Sequence, residues 1–157
     1  MATSPESRLE ELGIELPATP VPAGAYVPAT RTGNLVFTAG QLPLEAAELL
    51  FRGKVGDAVG VDEAREAARL CAMNALAAAS TQTGGVGGIS RIIKVTGFVA
   101  SAPGFNEQPQ VINGASELLG EIFGDAGLHA RSAVGVAELP MDAPVEVELV
   151  VETHPEA

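Results

Sequence analysis

Tryptophan is missing from this 157-residue chain, tyrosine and cysteine occur once each, and five phenylalanines are the other aromatics. A core without large rings has to be built from aliphatic side chains packed closely, and hydrophobic residues make up 46% of the sequence, enough for one ordinary domain. The lone cysteine, Cys71, has no partner for an internal disulfide, which suits a reducing compartment. Cys71, His129 and His154 are scattered without ligand spacing, so no metal is expected. Basic residues are few: nine Lys and Arg against twenty Asp and Glu leave a net charge of −11. Such a field repels polyphosphates and disfavours nucleic acid as a partner. No apolar run approaches the roughly 20 residues of a membrane span, and the opening MATSPESRLEELG lacks the apolar centre of a signal peptide. A cytoplasmic protein with no membrane partner is the expectation. There is no Gly-x-Ser-x-Gly elbow, and the glycines between Thr83 and Gly88 follow a helical pattern without a Gly-Lys-Ser or Gly-Lys-Thr, which argues against a phosphate loop.

What is present reads as α+β. Ser4-Pro5-Glu6 places a capping hydroxyl, a first-turn proline and an acid in order, predicting a short helix with Leu9, Leu12 and Ile14 on its stripe. Pro17 to Pro28 is proline-rich and predicted extended. Tyr26-Val27 and Leu35 to Thr38 read as two strands of a hairpin turning at Arg31-Thr32-Gly33-Asn34. A helix capped by Asp62 is expected to Ser80, with Ala64, Ala67, Ala68, Cys71, Ala75, Leu76 and Ala79 inward. A flexible glycine connector, a strand from Ile89 to Ala100 and a helix from about Asn106 to Phe123 follow. Strands from Ala130 to Glu138 and Val145 to Glu152 close the chain as a second hairpin. In the last strand Val145, Val147, Leu149 and Val151 alternate with Glu146, Glu148, Val150 and Glu152. The expectation is one domain over residues 1–157, with 1–22 an extension bearing the short helix. Its mixed sheet carries two helices on one face and leaves the other to self-association.

Arg131 stands out because it opens a strand of small and apolar residues. An arginine there serves either as a surface ion pair or as a fork for a substrate carboxylate. Glu146, on the expected neighbouring strand, is suited either to pairing with it or to poising a water. Spacing does not choose between these. Cys71, on an apolar helical stripe, reads as core.

The run from His129 to Pro140, followed by Val145-Glu146-Val147-Glu148, resembles the C-terminal signature of the reactive-intermediate deaminase (Rid, YjgF-like) family: Ala-Arg-Ser, an alternating strand, Leu-Pro, then apolar-Glu-apolar-Glu. Gly24-Ala25-Tyr26 and Leu35 to Pro43 are similar to the family's Gly-Pro-Tyr and its Thr/Ser-Gly-Gln-apolar-Pro strand exit. The resemblance implies a chorismate-mutase-like fold and a homotrimer with an inner β-barrel and intersubunit clefts. It also implies cofactor-free hydrolysis of enamines and imines such as 2-aminoacrylate and 2-iminopropanoate to 2-oxo acids and ammonia. It assigns catalysis to Arg131, Glu146 and Tyr26, and substrate binding to Arg131, Ala133, Gly40, Ala39 and Asn113, the ligand being a small carboxylate. Ala133 stands where the archetype has a cysteine. A non-catalytic 2-oxo-acid binding module is the alternative. An endoribonuclease or translation inhibitor is disfavoured by the charge.

Overall fold

The computed structural model describes residues 3–19, 21–22 and 24–155. Met1, Ala2, Pro20, Ala23, Glu156 and Ala157 lie outside the described residues, so the ends of the expected domain and part of the proline-rich stretch carry no structural account. Helix α1 spans Pro5–Leu12; the Ser4 hydroxyl accepts from the Ser7 amide at 3.2 Å, and Gly13 closes the helix at φ 68°. Leu9 is buried, as its place on the stripe predicts.

The first hairpin starts later than expected. Strand β1 is Ala29–Thr32 and β2 is Leu35–Thr38, joined by Gly33-Asn34 alone, with Gly33 at φ 56°. Tyr26 and Val27 precede β1 and are not in it. Pro28 has no N–H to donate to a ladder, so pairing begins at the next residue. Two short strands, β3 (Leu44–Glu45) and β4 (Glu48–Leu49), fill a stretch without a sequence signal; Ala46 and Ala47 turn between them at φ 50° and 66°.

Helix α2 runs Val61–Thr83. Its start is set by Gly60, whose amide donates to the Glu63 carboxylate at 3.1 Å, and Asp62 lies inside the first turn instead of capping it. The seven inward positions expected from the spacing are all buried. The glycine connector is an ordered turn: Val86 is buried, and the Gly88 carbonyl accepts from the Thr153 hydroxyl at 2.9 Å and the His154 amide at 3.0 Å.

Strand β5 (Ile89–Ala100), helix α3 (Gln108–Phe123), strand β6 (Ala130–Val136) and strand β7 (Val145–Thr153) complete the chain. The sheet order is β1-β2-β7-β5-β6, with β5 and β6 parallel and the other pairs antiparallel. The expected closing hairpin is therefore wrong: β6 and β7 do not touch, because β5 lies between them. A strand, a helix and a second strand make a crossover unit, whose strands lie parallel. That places β6 at the outer edge, and β7 pairs with the other side of β5.

Both long helices pack on one sheet face, over Val36, Ile92, Val95, Val99 and the buried Val145, Val147, Leu149 and Val151 of β7. The opposite face carries Phe37, Thr96, Phe98, Ser132, Val134, Glu146, Glu148 and Val150. Phe37 and Val134 are 43% and 42% exposed, so this face is apolar at its flanks and acidic along β7. Among the described residues no helix is long and apolar enough to cross a membrane.

Candidate functional site

The sequence-predicted site residues fall into two groups, and the sheet separates them. The first gathers at the edge strand β6. Arg131 lies opposite Val95 of β5, a core residue, so its side chain is on the helical side of the sheet. There one guanidinium nitrogen, Nη1, donates to the Asn113 amide oxygen at 2.7 Å and to the Ser116 hydroxyl at 3.2 Å. Both acceptors come from α3, three residues apart and hence on one helical face. Ser116 had no motif to announce it; its place one turn after Asn113 was the signal available. Ala133 follows two residues after Arg131 on the same face and packs against the core.

Arg131 is partly buried, yet among the described residues no carboxylate lies within ion-pair distance of it. Of the two sequence readings, the surface ion pair is thus not what the fold builds. Neutral oxygens orient the guanidinium without cancelling its charge, and a positive group held that way favours an anion arriving from outside.

The second group lies around the start of β7. Glu146 is on the open sheet face, opposite Phe98. Its carboxyl group rests against Gly40: a Cβ added at Gly40 would stand 2.8 Å from the carboxyl carbon and from one of its oxygens. Gly40 is followed by Gln41, whose amide and carbonyl both pair with Val147, so the two segments are locked in register. Tyr26 borders the hollow that contains Gly40 and also the one that contains Ala39, which places all four residues on one side of the molecule. Burial raises the Glu146 pKa above the ordinary carboxylate range, and the neighbouring Glu148 charge raises it further.

Arg131 and Glu146 do not meet within one chain. They are separated by β5, about 10 Å across the sheet and about 10 Å along the strands, and they point to opposite faces. The expected pairing of Glu146 with Arg131 across a hairpin is therefore replaced by two half-sites. Cys71 is fully buried, and burial pushes its thiol pKa up, which leaves it an unreactive core side chain. Among the described residues no three His, Cys, Asp or Glu side chains gather as metal ligands do.

The family model described as "YjgF/chorismate_mutase-like, putative endoribonuclease" matches residues 6–153. The chain belongs to this family. The α+β expectation and the chorismate-mutase-like fold are both borne out by that match and by the mixed sheet. Among its relatives, Protein TCP17 of Trypanosoma cruzi is 41% identical over 149 residues, covering 94% of this chain and 93% of that protein. The 2-iminobutanoate/2-iminopropanoate deaminase of Dermatophagoides farinae is 32% identical over 139 residues, covering 88% and 93%. The crystal structure of Atu1372 from Agrobacterium tumefaciens superposes with a TM-score of 0.88 at 47% identity, over 96% of this chain and 92% of that one. One relative is thus named an imine deaminase, whereas the family description names ribonuclease activity.

Proposed function

We propose that this YjgF-family protein hydrolyses small 2-imino acids, and the enamines that tautomerise to them, to 2-oxo acids and ammonia. The observation that carries this reading is Arg131: a partly buried guanidinium, aimed by Asn113 and Ser116 and with no carboxylate within ion-pair distance among the described residues. Such a fork fits the carboxylate of a 2-imino acid. In the reaction, water adds to the imine carbon, a proton passes to nitrogen, and the C–N bond breaks to release ammonia as the carbonyl forms. No redox change occurs. Glu146 has the acceptor for the proton of the attacking water, and Tyr26, which borders the same hollow as Gly40, offers a hydroxyl for the nitrogen or the developing oxygen.

Because the half-sites face apart, the reading has copies of the chain close the open sheet face, so that Arg131 of one meets Glu146 and Tyr26 of the next. A homotrimer with the sheets inside follows, consistent with the apolar flanks of that face. Light scattering should then give three times the chain mass; a monomer at micromolar concentration would remove the site. The chain's net charge of −11 counts against the ribonuclease wording of the family description, since polyanion binding rests on phosphate neutralisation.

The direct test generates 2-iminopropanoate from alanine with an amino-acid oxidase and follows ammonia and pyruvate. Acceleration over the spontaneous rate supports the deaminase; saturable pyruvate binding without acceleration supports a binding module instead. A pH profile of kcat/KM adds a second check. The carboxylate must be ionised to accept a proton, so activity falls as pH drops through the raised Glu146 pKa, above the ordinary value of about 4.3. Glu148→Gln removes a like charge and should move that acid limb to lower pH. A limb that stays in place would mean another group sets it.

A further inference from the structure

Val21, Leu44 and Met141 border two adjoining hollows. The smaller, about 90 Å³, is shared with Tyr26, Gly40 and Gln41. The larger, about 530 Å³, continues over Ala46, Ala47 and Asn74. Both N–H groups of the Asn74 amide are spent on the Leu42 and Leu44 carbonyls at 3.0 Å each, so the cleft presents mainly aliphatic surface to an incoming group.

The backbone around this cleft is unusual. Among the described residues, the non-glycine positions at positive φ are Ala46, Ala47, Met141 and Asp142, and the first three line it. At Ala46 and Ala47 this conformation is what the two-residue β3–β4 hairpin turn requires; at Met141 and Asp142 no strand pairing imposes it, and residues with a Cβ adopt it at a cost. The second turn is pinned from the side: Arg52 donates to the Met141 carbonyl at 2.9 Å, and the Gly53 amide to the Asp142 carbonyl at 2.9 Å. The result leaves Met141 half exposed on hollows that Val21, 91% exposed, also borders. Two apolar side chains held uncovered beside a hollow that reaches Gly40 and Tyr26 have an evident use.

We propose that this cleft receives the side chain of the substrate, and that the preferred 2-imino acid carries a branched aliphatic group of the leucine class, with Met141, Val21 and Leu44 as its specificity wall. The inference rests on the reading that the reacting carbon sits beside Tyr26, Gly40 and Glu146. From there the side chain extends through the small hollow into the larger one. Each methylene buried is worth about fourfold in affinity, so three additional carbons, even partly buried, favour the leucine-derived imine over the alanine-derived one by at least about tenfold.

The experiment uses the full chain and two readouts. One is kcat/KM for the imines generated in situ from leucine and from alanine. The other is the Kd of 4-methyl-2-oxopentanoate and of pyruvate by calorimetry. The expected result is a preference of about tenfold or more for the leucine-class ligand in both, with the ratio reduced at least about threefold in Met141→Asn and in Val21→Asn. Asparagine tolerates the left-handed turn at 141, and a side chain as exposed as Val21 has little part in folding. Equal kcat/KM and equal Kd for the two sizes, or a ratio unmoved by both variants, overturns the proposal while leaving the deaminase reading intact. Tighter binding of the branched oxo acid, lost in the variants but with no imine accelerated, upholds the cleft and removes the deaminase reading.

Discussion

Arg131→Ala should lower kcat/KM for the imine by about 10²- to 10⁴-fold while the oligomer and its far-UV spectrum stay as they are. Two charge-assisted hydrogen bonds to a carboxylate are worth about 1.5–3 kcal/mol each, and each 1.36 kcal/mol is a factor of about ten. The fold does not depend on the side chain: Arg131 is on an edge strand, its partners are neutral, and it closes no ion pair with the described residues. Removing it leaves Asn113 and Ser116 to water. Arg131→Lys keeps the charge but loses the planar fork, so it should recover only part of the lost rate. Full activity in the alanine variant would return Arg131 to the class of ordinary surface cations.

Gly114→Ala should destabilise the protein by about 3 kcal/mol, near the upper end of what overpacking costs. Gly114 lies in α3 where that helix crosses α2, and an added methyl would overlap the Arg65 carbonyl oxygen and approach its carbonyl carbon to 2.9 Å. Those are backbone atoms, which cannot swing aside. The gain of alanine over glycine within a helix, about 1 kcal/mol, does not offset a collision of this kind. Gly120, on the same helix, has nothing within 4 Å of an added Cβ, so Gly120→Ala should be neutral or stabilising by up to about 1 kcal/mol. Urea unfolding midpoints of the two variants make the comparison; equal effects would show that the helix contact is not limiting. The consequence reaches the site, because Asn113 precedes Gly114. Any retreat of α3 from α2 moves the acceptor that aims Arg131.

Arg131, Ala133, Glu146, Gly40, Ala39 and Tyr26 could be named from motifs with local context: Ala-Arg-Ser at a strand start, apolar-Glu-apolar-Glu along another, Gly-Gln at a strand exit, Gly-Ala-Tyr before the first strand; Asn113 rested on its correspondence to a family asparagine on the second helix. How these residues combine was less legible. Taking β6 and β7 as a hairpin put Glu146 beside Arg131, and the inserted β5 separates them. The crossover through α3 contained the correction, since a strand–helix–strand unit lies parallel and leaves the following strand to pair elsewhere. The pinned turn at Met141-Asp142 and the cleft it shares with Val21 and Leu44 were not read from the sequence: aspartate is enriched at positive φ, but methionine there is uncommon and no flanking motif marks the turn.

By itself the sequence determined the long elements and their two-sidedness. Helical spacing in α2 and α3 and strict alternation in β7 decide which side chains are buried, because those periods are local properties of the backbone. Only the tertiary structure decided strand order, the opposite facing of Arg131 and Glu146, the neutral partners of Arg131, and the merging of residues 21, 44 and 141 into one wall. Each of these depends on which distant segments come into contact, and that follows from the packing of the whole core and from no short stretch of it.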